Sequence, residues 1–316
     1  MTLTVVHITS KGLFPFTDER LRHVGQYDVL SESLRSQTHT DFDVVCVDRD
    51  NPLPRSELAW WLKDRVRFVR PRETPWRHVA GAWCAASARN TGLAWARGAT
   101  VLSLDDCYEL PPSFLERVAE LAARGLYAWP YVRPSDGEEG AYAVERPQPL
   151  RPDEHTGGIV VYPLAAALAC NGWDERWDGA RYGEDWAFCE YMRAQSVRHV
   201  RSAGIYLVDP GRPRHVVGDG PRWEMHRCPR ALWALAAERG WQRANEPWTA
   251  PEFTRLQHCA WHVGDRCNYV ALPSQCGGIC EYPRTPTDDA LRIMLDYESH
   301  PWFDLAAERQ RNGIAE

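Results

Sequence analysis

The sequence predicts an α/β fold: a mostly parallel sheet flanked by helices, followed by a mainly helical appendage rich in Trp and Cys. Three observations predict it. The runs Phe42-Asp-Val-Val-Cys-Val-Asp48 and Val101-Leu-Ser-Leu-Asp105 are short, apolar and end in acid, as strands buried on both faces do. Segments with apolar residues three or four apart lie between such runs, and this alternation of strand and helix implies a parallel sheet covered on both sides. The alternation fades after about residue 220, dividing the chain into a domain over 1–220 and a C-terminal helical appendage over 221–316.

The elements follow in order. Thr4 to Thr9 is β-branched and alternating, a first strand, and Gln26 to Gln37 carries Leu30 and Leu34 at helical spacing. Phe42 to Asp48 is the second strand. Residues 54–65 read as a helix on Leu58 and Leu62, Val66 to Val69 as a third strand, and Ala85 to Trp95 as a helix leading into the Val101 to Leu104 strand. Pro111 and Pro112 open a helix with Phe114, Val118 and Leu121 on one face and Gly125 past its end. Leu126 to Val132 offers a further strand. The stretch Arg133 to His155, rich in Pro, Gly and acid, reads as a loop over the sheet edge, of a length that is functional or disordered. Ile159 to Tyr162 resumes order, with helices at Leu164 to Cys170 and Glu184 to Ala194. The appendage offers helices at 230–239, 288–297 and 302–311, the second with Thr287 as N-cap and the third followed by Gly313.

Composition narrows the function classes. A net charge of −6 disfavours broad electrostatic capture of nucleic acid, although a local basic groove stays open. The start, Met1-Thr-Leu-Thr-Val-Val-His-Ile, lacks the pattern of a signal peptide, and no run approaches the ~20 apolar residues of a membrane span. A cytoplasmic protein without an integral membrane segment is therefore expected. Ten cysteines in so long a chain without an export signal read as reduced thiols, with Cys46, Cys84, Cys170 and Cys189 packed as small hydrophobes. The 15 tryptophans fit core packing better than a sugar-binding or base-binding surface.

Two acidic clusters stand out. Asp105-Asp106 closes an apolar strand, where open α/β sheets place ligand-binding groups. Gly172-Trp-Asp-Glu-Arg176 followed by Tyr182-Gly-Glu-Asp-Trp186 puts a carboxylate pair at a Gly-marked helix start. Carboxylates are rarely fully buried unless paired or bound to metal, so both clusters read as sites. The plainer alternatives are acids capping the helix at Pro111 and a charged helix start favoured by the dipole, an effect of only ~0.3–1 kcal/mol.

Five motifs in order, Ser33-Leu-Arg-Ser-Gln37, Asp41-Phe-Asp-Val-Val-Cys-Val-Asp48, Ala88-Arg-Asn-Thr-Gly92, Leu104-Asp-Asp106, and Gly172-Trp-Asp-Glu175 with Gly183-Glu-Asp185, resemble a nucleotide-sugar glycosyltransferase of the GT-A type, family 2-like. The resemblance covers roughly residues 2–220. It implies transfer of a sugar from a nucleotide donor, UDP-linked, to an acceptor hydroxyl with inversion. Asp185 would be the catalytic base, with Glu184 placing acceptor hydroxyls. Asp48 would meet the nucleotide base or ribose, joined by Thr9 and Ser10, while Arg89 and Asn90 face the donor. Asp105 and Asp106 would hold Mn²⁺ or Mg²⁺, with His215 as a further ligand and His226 the next choice. The family pattern is Asp-x-Asp, whereas the third position here is Cys107, so the motif is either shifted by one or weakened. Asp174 and Glu175 read as structural. A glycan, a small molecule, a protein side chain or a modified DNA base all remain open as acceptor.

Two other readings are open. A GT-A-like module that has lost catalysis through Asp105-Asp106-Cys107 would bind glycans or a partner. An enzyme that makes sugar nucleotides would carry a Gly-rich basic loop after the first strand, for which Lys11-Gly12 is too little. In the tail, His258, Cys259, His262, Cys267, Cys276 and Cys280 crowd together, and Cys276-x₃-Cys280 could hold two corners of a structural Zn²⁺.

Overall fold

The computed structural model describes residues 2–9, 33–48, 64–74, 84–105, 108–134, 148–149, 159–178, 183–201, 205–209, 229–247, 249, 251–252 and 303–314. Strands β1 (Leu3–Thr9), β2 (Phe42–Asp48), β3 (Val66–Val69), β4 (Thr100–Asp105) and β8 (Val160–Pro163) form one sheet in the order β3-β2-β1-β4-β8. The first four are mutually parallel, as their buried apolar runs predict. The fifth, β8, runs antiparallel to β4, a direction that an apolar run does not encode.

Residues alternate between the two faces of the sheet, and each face has its own apolar layer. Val6, Val101, Val160 and Tyr162 point into one, where helices α1 (Ala85–Leu93), α3 (Leu164–Ala169) and α4 (Glu184–Ala194) cover them. Leu3, Val5, Leu102, Leu104 and Val161 point into the other, covered by Phe114, Leu115, Val118 and Leu121 of α2 (Phe114–Ala122). Burying each such side chain contributes roughly 1.5–3 kcal/mol, which is why period-two strands and an amphipathic helix lock together here.

The strand expected over Leu126 to Val132 is instead two. Strand β5 (Tyr127–Ala128) joins a small sheet with β7 (Gln148–Pro149) and β9 (His199–Arg201), while β6 (Tyr131–Pro134) pairs with β10 (Tyr206–Asp209). Pro130 falls between them, and a residue without an N–H interrupts a ladder. Strand β7 also lies within the stretch read as a loop.

The helices α5 (Pro229–Glu238) and α6 (Leu305–Arg311) bear out the periodicity at those positions. Leu232, Leu235, Ala244, Phe303 and Leu305 share one apolar cluster with Trp173, Trp177 and the helices of the first face. The helices expected at 54–65 and 288–297 fall outside the described residues, apart from a turn at 64–65, as does most of that at 26–37. No helix among the described residues is long and apolar enough to cross a membrane.

Candidate active site

Parallel register brings the carboxyl ends of three strands level. Thr9 lies opposite Asp48, and Ile8 opposite Asp105, so the acids that end β2 and β4 flank the end of β1. Asp48 is buried, with 1% of its surface exposed, whereas the Asp105 side chain keeps 29%. This edge is where ligands bind in sheets of this kind.

Helix α1 supplies the group that joins the acidic clusters. Its first N–H groups are capped from far along the chain: the Asp178 carboxylate accepts from Ala86 N at 3.1 Å and from Ser87 N at 3.3 Å. One turn on, Arg89 is 1% exposed and extends between two acids. Its Nη2 donates to Asp105 Oδ1 at 2.8 Å, and its Nη1 to Glu184 Oε1 at 3.3 Å. The guanidinium carbon lies 4.5 Å from the centroid of the Trp173 ring, which stacks on Phe188 at 3.9 Å and 4°. Burial works against the Arg89 charge, yet the charges of Asp105 and Glu184 outweigh it and raise its pKa above the ordinary value. Arg89 is thus a fixed internal cation.

Asp185 sits beside this bridge in the first turn of α4. Gly183, the N-cap, has φ of 98°, a left-handed conformation that glycine adopts without strain, and it lies flush against Trp177. The Asp185 Oδ1 accepts from Trp186 N at 2.9 Å. Burial and the adjacent Glu184 charge push the Asp185 carboxyl up to about 7, against the pull of Arg89 and the Trp186 N–H, and Asp105 adds to the rise. A carboxyl so placed can hold or release a proton near neutral pH.

The loop before α4 is locked by buried polar pairs. Asp174 takes a bidentate contact from Arg176, with Nε to Oδ1 and Nη2 to Oδ2 each at 2.7 Å, and accepts from Tyr191 Oη at 2.8 Å. Although burial opposes its charge, the Arg176 guanidinium holds Asp174 below the ordinary range. Glu175 is gripped by Arg72 and accepts from Asn90 Nδ2 at 2.9 Å. Both acids therefore act structurally. Asn90 is fully buried: its Nδ2 also donates to Trp173 O at 2.8 Å, and its Oδ1 accepts from Trp173 N at 2.7 Å. Its amide thereby ties α1 to this loop.

The structure thus brings together Asp105, Glu184, Asp185 and Arg89, with Asp48 and the backbone of Thr9 at the same sheet edge. Asp106, His215, Ser10, His226 and the tail residues His258 to Cys280 lie outside the described residues. Among the described residues no group of three or more His, Cys, Asp or Glu is placed to hold a metal ion. Cys46, Cys170 and Cys189 are buried and Cys84 partly so, and burial pushes Cys170 and Cys189 up to about 12, consistent with inert packing.

Sequence reasoning passed over Arg72, Asp178, Asn171 and Asn245. Asn171-Gly172 is a turn dipeptide and could have been flagged. Asp178 could not, because it caps a helix 92 residues away.

Residues 29–158 match the family model "Glycosyl transferase family 2", a span that ends before Asp185. No curated protein matches the chain. Among solved structures, S. aureus TarS is similar at 15% identity and a TM-score of 0.49, over 66% of this chain and 36% of that one. Residues 1–349 of TarS in complex with UDP give 16% identity and a TM-score of 0.49, over 66% of this chain and 60% of that one. The mannosyltransferase PcManGT from Pyrobaculum calidifontis, in complex with GDP-Man and Mn²⁺, gives 15% identity and a TM-score of 0.48, over 98% of this chain and 79% of that one. This chain thus spans about a third of the length of TarS. The matched span holds β2, β3 and β4 with Asp48 and Asp105, the acids that end two of them, and over that span the chain is similar to glycosyl transferase family 2.

Proposed function

We propose that this chain transfers a sugar from a nucleotide-sugar donor, UDP-linked, to an acceptor hydroxyl, with inversion at C1. The observation that carries this reading is the Asp185 carboxyl, pushed up to about 7 and set beside the Arg89 bridge between Asp105 and Glu184. The acceptor oxygen forms its bond to C1 as the bond from C1 to the diphosphate breaks. The electron pair leaves on the diphosphate, and the hydroxyl proton passes to Asp185. A base titrating near the working pH contributes on the order of 10²–10⁴ in rate. Glu184, oriented by Arg89, accepts from acceptor hydroxyls; Asp48 accepts from uracil N3–H or a ribose hydroxyl, beside Thr9.

Among the described residues Asp105 is the one donor assigned here to a divalent cation, and no three such groups gather around it. Arg89 takes only Oδ1 of Asp105, a half-exposed hard oxygen donor of the kind that Mg²⁺ or Mn²⁺ prefers. Asp105 would hold it with Asp106 and His215, and when bound it would neutralise the departing diphosphate. Asn90 keeps the loop in place, and Arg89 orders the acids from within.

The test is release of nucleoside diphosphate from a panel of UDP-, GDP- and TDP-sugars, with and without Mn²⁺, alongside Asp185→Asn. Slow hydrolysis of one UDP-sugar that needs both metal and Asp185 is expected, followed by acceptor screening over glycans, small molecules, protein side chains and hydroxymethylated DNA. Absence of both binding and turnover with every donor would overturn the reading.

A further inference from the structure

We infer that the C-terminal region holds the active site in register through a staple of two asparagines, Asn171 and Asn245, and that Asn245 is a positioning residue for the transfer. The inference rests on the site reading above, with Asp185 and the Arg89 bridge at its centre. Both asparagines are buried and take left-handed backbone conformations, φ 64° and 58°, which Asn tolerates better than other side chains. They bind each other's segments reciprocally. Asn171 Nδ2 donates to Ala244 O at 3.2 Å and Phe303 O at 2.8 Å, and its Oδ1 accepts from Leu305 N at 2.9 Å. Asn245 Nδ2 donates to Asn171 O at 2.8 Å and Trp173 O at 2.9 Å, and its Oδ1 accepts from Glu175 N at 2.8 Å.

Two segments remote in sequence, 244–245 and 303–305, are thereby fixed to one loop. Apolar contacts alone, such as those of Leu232, Ala244 and Leu305, would bury the C-terminal helices without fixing their register. Six directed bonds at two buried amides do fix it. A further link comes from α6, where Arg309 Nη1 donates to Leu93 O at 3.1 Å and Ala96 O at 2.5 Å, at the end of the helix that carries Arg89.

The path from Asn245 to the acids is short. Asn245 holds the backbone of Trp173 and Glu175; the Trp173 ring carries the Arg89 guanidinium and backs onto Phe188 of α4; Arg89 spaces Asp105 from Glu184. Loss of the staple lets Trp173 drift and with it the spacing of the acids. A misplacement of 1 Å can cost about 10²-fold in rate.

Asn245→Gly is the deciding variant, because glycine takes φ of 58° without strain and only the side-chain bonds are lost. Leu121→Ala, on the opposite face of the sheet, serves as a control that loses stability without touching the loop. Two readouts are taken: amide hydrogen exchange by segment, which needs no substrate, and kcat and KM for the donor that the wild type hydrolyses. Exchange in Asn245→Gly should quicken by about tenfold or more at residues 173–177 and 184–187, with residues 44–47 unchanged. In the same variant kcat should fall by about tenfold or more, donor KM should move less than about threefold, and Leu121→Ala should keep kcat within about twofold. Exchange that quickens only at 244–245 and 303–305, or a kcat loss no larger than the control's, would overturn the staple. If Asn245→Gly does not fold, Asn171→Gly carries the same exchange readout, with 303–307 joining 173–177. A wild type that turns over no sugar nucleotide would sink the transferase reading alone, since exchange still decides the staple.

Discussion

The Arg89 guanidinium carbon stands 4.5 Å from the centroid of the Trp173 ring, with Phe188 stacked behind that ring. Face and ends of the cation are thus both occupied, the ends by Asp105 and Glu184. A guanidinium can meet two carboxylates and an aromatic face at once because it is planar and forked, and no other side chain combines these. The charge that a sugar-nucleotide site was expected to turn outward is directed inward, to hold two acidic elements at a fixed separation.

Replacing Arg89 tests that arrangement. Arg89→Met keeps the length of the side chain and its contact with Trp173 but leaves Glu184 and Asp105 without their counter-charge. Removing one partner of a buried ion pair costs about 3–5 kcal/mol, and half-exposed Asp105 places the expected loss at the lower end. Arg89→Lys should lose about half as much, since an ammonium reaches one acid only. Denaturant unfolding measures both, and a loss below about 1 kcal/mol for Met would show that the bridge does not stabilise the fold.

Asp185 links pH to both rate and stability. With its carboxyl at about 7, kcat/KM should rise about tenfold per pH unit below 7 and level off above it, and Asp185→Asn should abolish that limb with a loss of about 10²–10⁴. The stability effect has the opposite sign. A carboxyl raised from 3.8 to about 7 binds its proton more tightly when folded, so its contribution is present below pH 4 and is lost as pH climbs toward 7. Asp185→Asn should therefore melt higher than the wild type at pH 8 and lose that advantage by pH 4. A pH-independent difference in Tm would show that Asp185 titrates normally.

The contrast between Asp185 and Asp178 marks what the sequence could disclose. The setting of Asp185 was legible because its signals are local: a Gly-marked helix start with two acids in the first turn, in an order of motifs that resembles a known family. The parallel strands were legible for the same reason, since burial on both faces writes an apolar run. Asp178 caps α1 across 92 residues, and Asn245 reaches Glu175 across 70, so their partners exist only once the chain has folded. The break at Pro130 was in plain view and was passed over. The antiparallel β8 was not, because residue alternation carries no direction.

Asp178 also yields a graded prediction. Burial, with the charges of Glu175 and Glu184, pushes its carboxyl well above the usual range, although it accepts from two N–H groups at the start of α1. Asp178→Ala removes both acceptors from a buried helix start and should cost about 2–3 kcal/mol. Asp178→Asn keeps one acceptor and carries no charge against Glu175, so its cost should stay near 1 kcal/mol. Equal losses in urea unfolding would show that the charge, rather than the hydrogen bonds, holds α1.

The start of α4 offers the sharpest separation of backbone strain from crowding. Gly183 has φ of 98°, and a Cβ there would lie 2.5 Å from Cζ3 of Trp177, a ring that is only 2% exposed. Gly125 also has a positive φ, 67°, but a Cβ there would meet nothing within 4 Å. Both Ala variants incur the left-handed cost of about 1–2 kcal/mol, and only Gly183→Ala adds the clash. Overpacking of this kind costs a further ~1–3 kcal/mol. Gly183→Ala should therefore lose at least about 1 kcal/mol more than Gly125→Ala in denaturant unfolding. Because the clash is relieved only by moving Trp177 or the first turn of α4, Gly183→Ala should also lower kcat through displaced Glu184 and Asp185, while Gly125→Ala leaves it intact. If the two variants lose equal stability and equal rate, the Trp177 ring yields, and the position of Asp185 does not depend on the closeness of Gly183 to it.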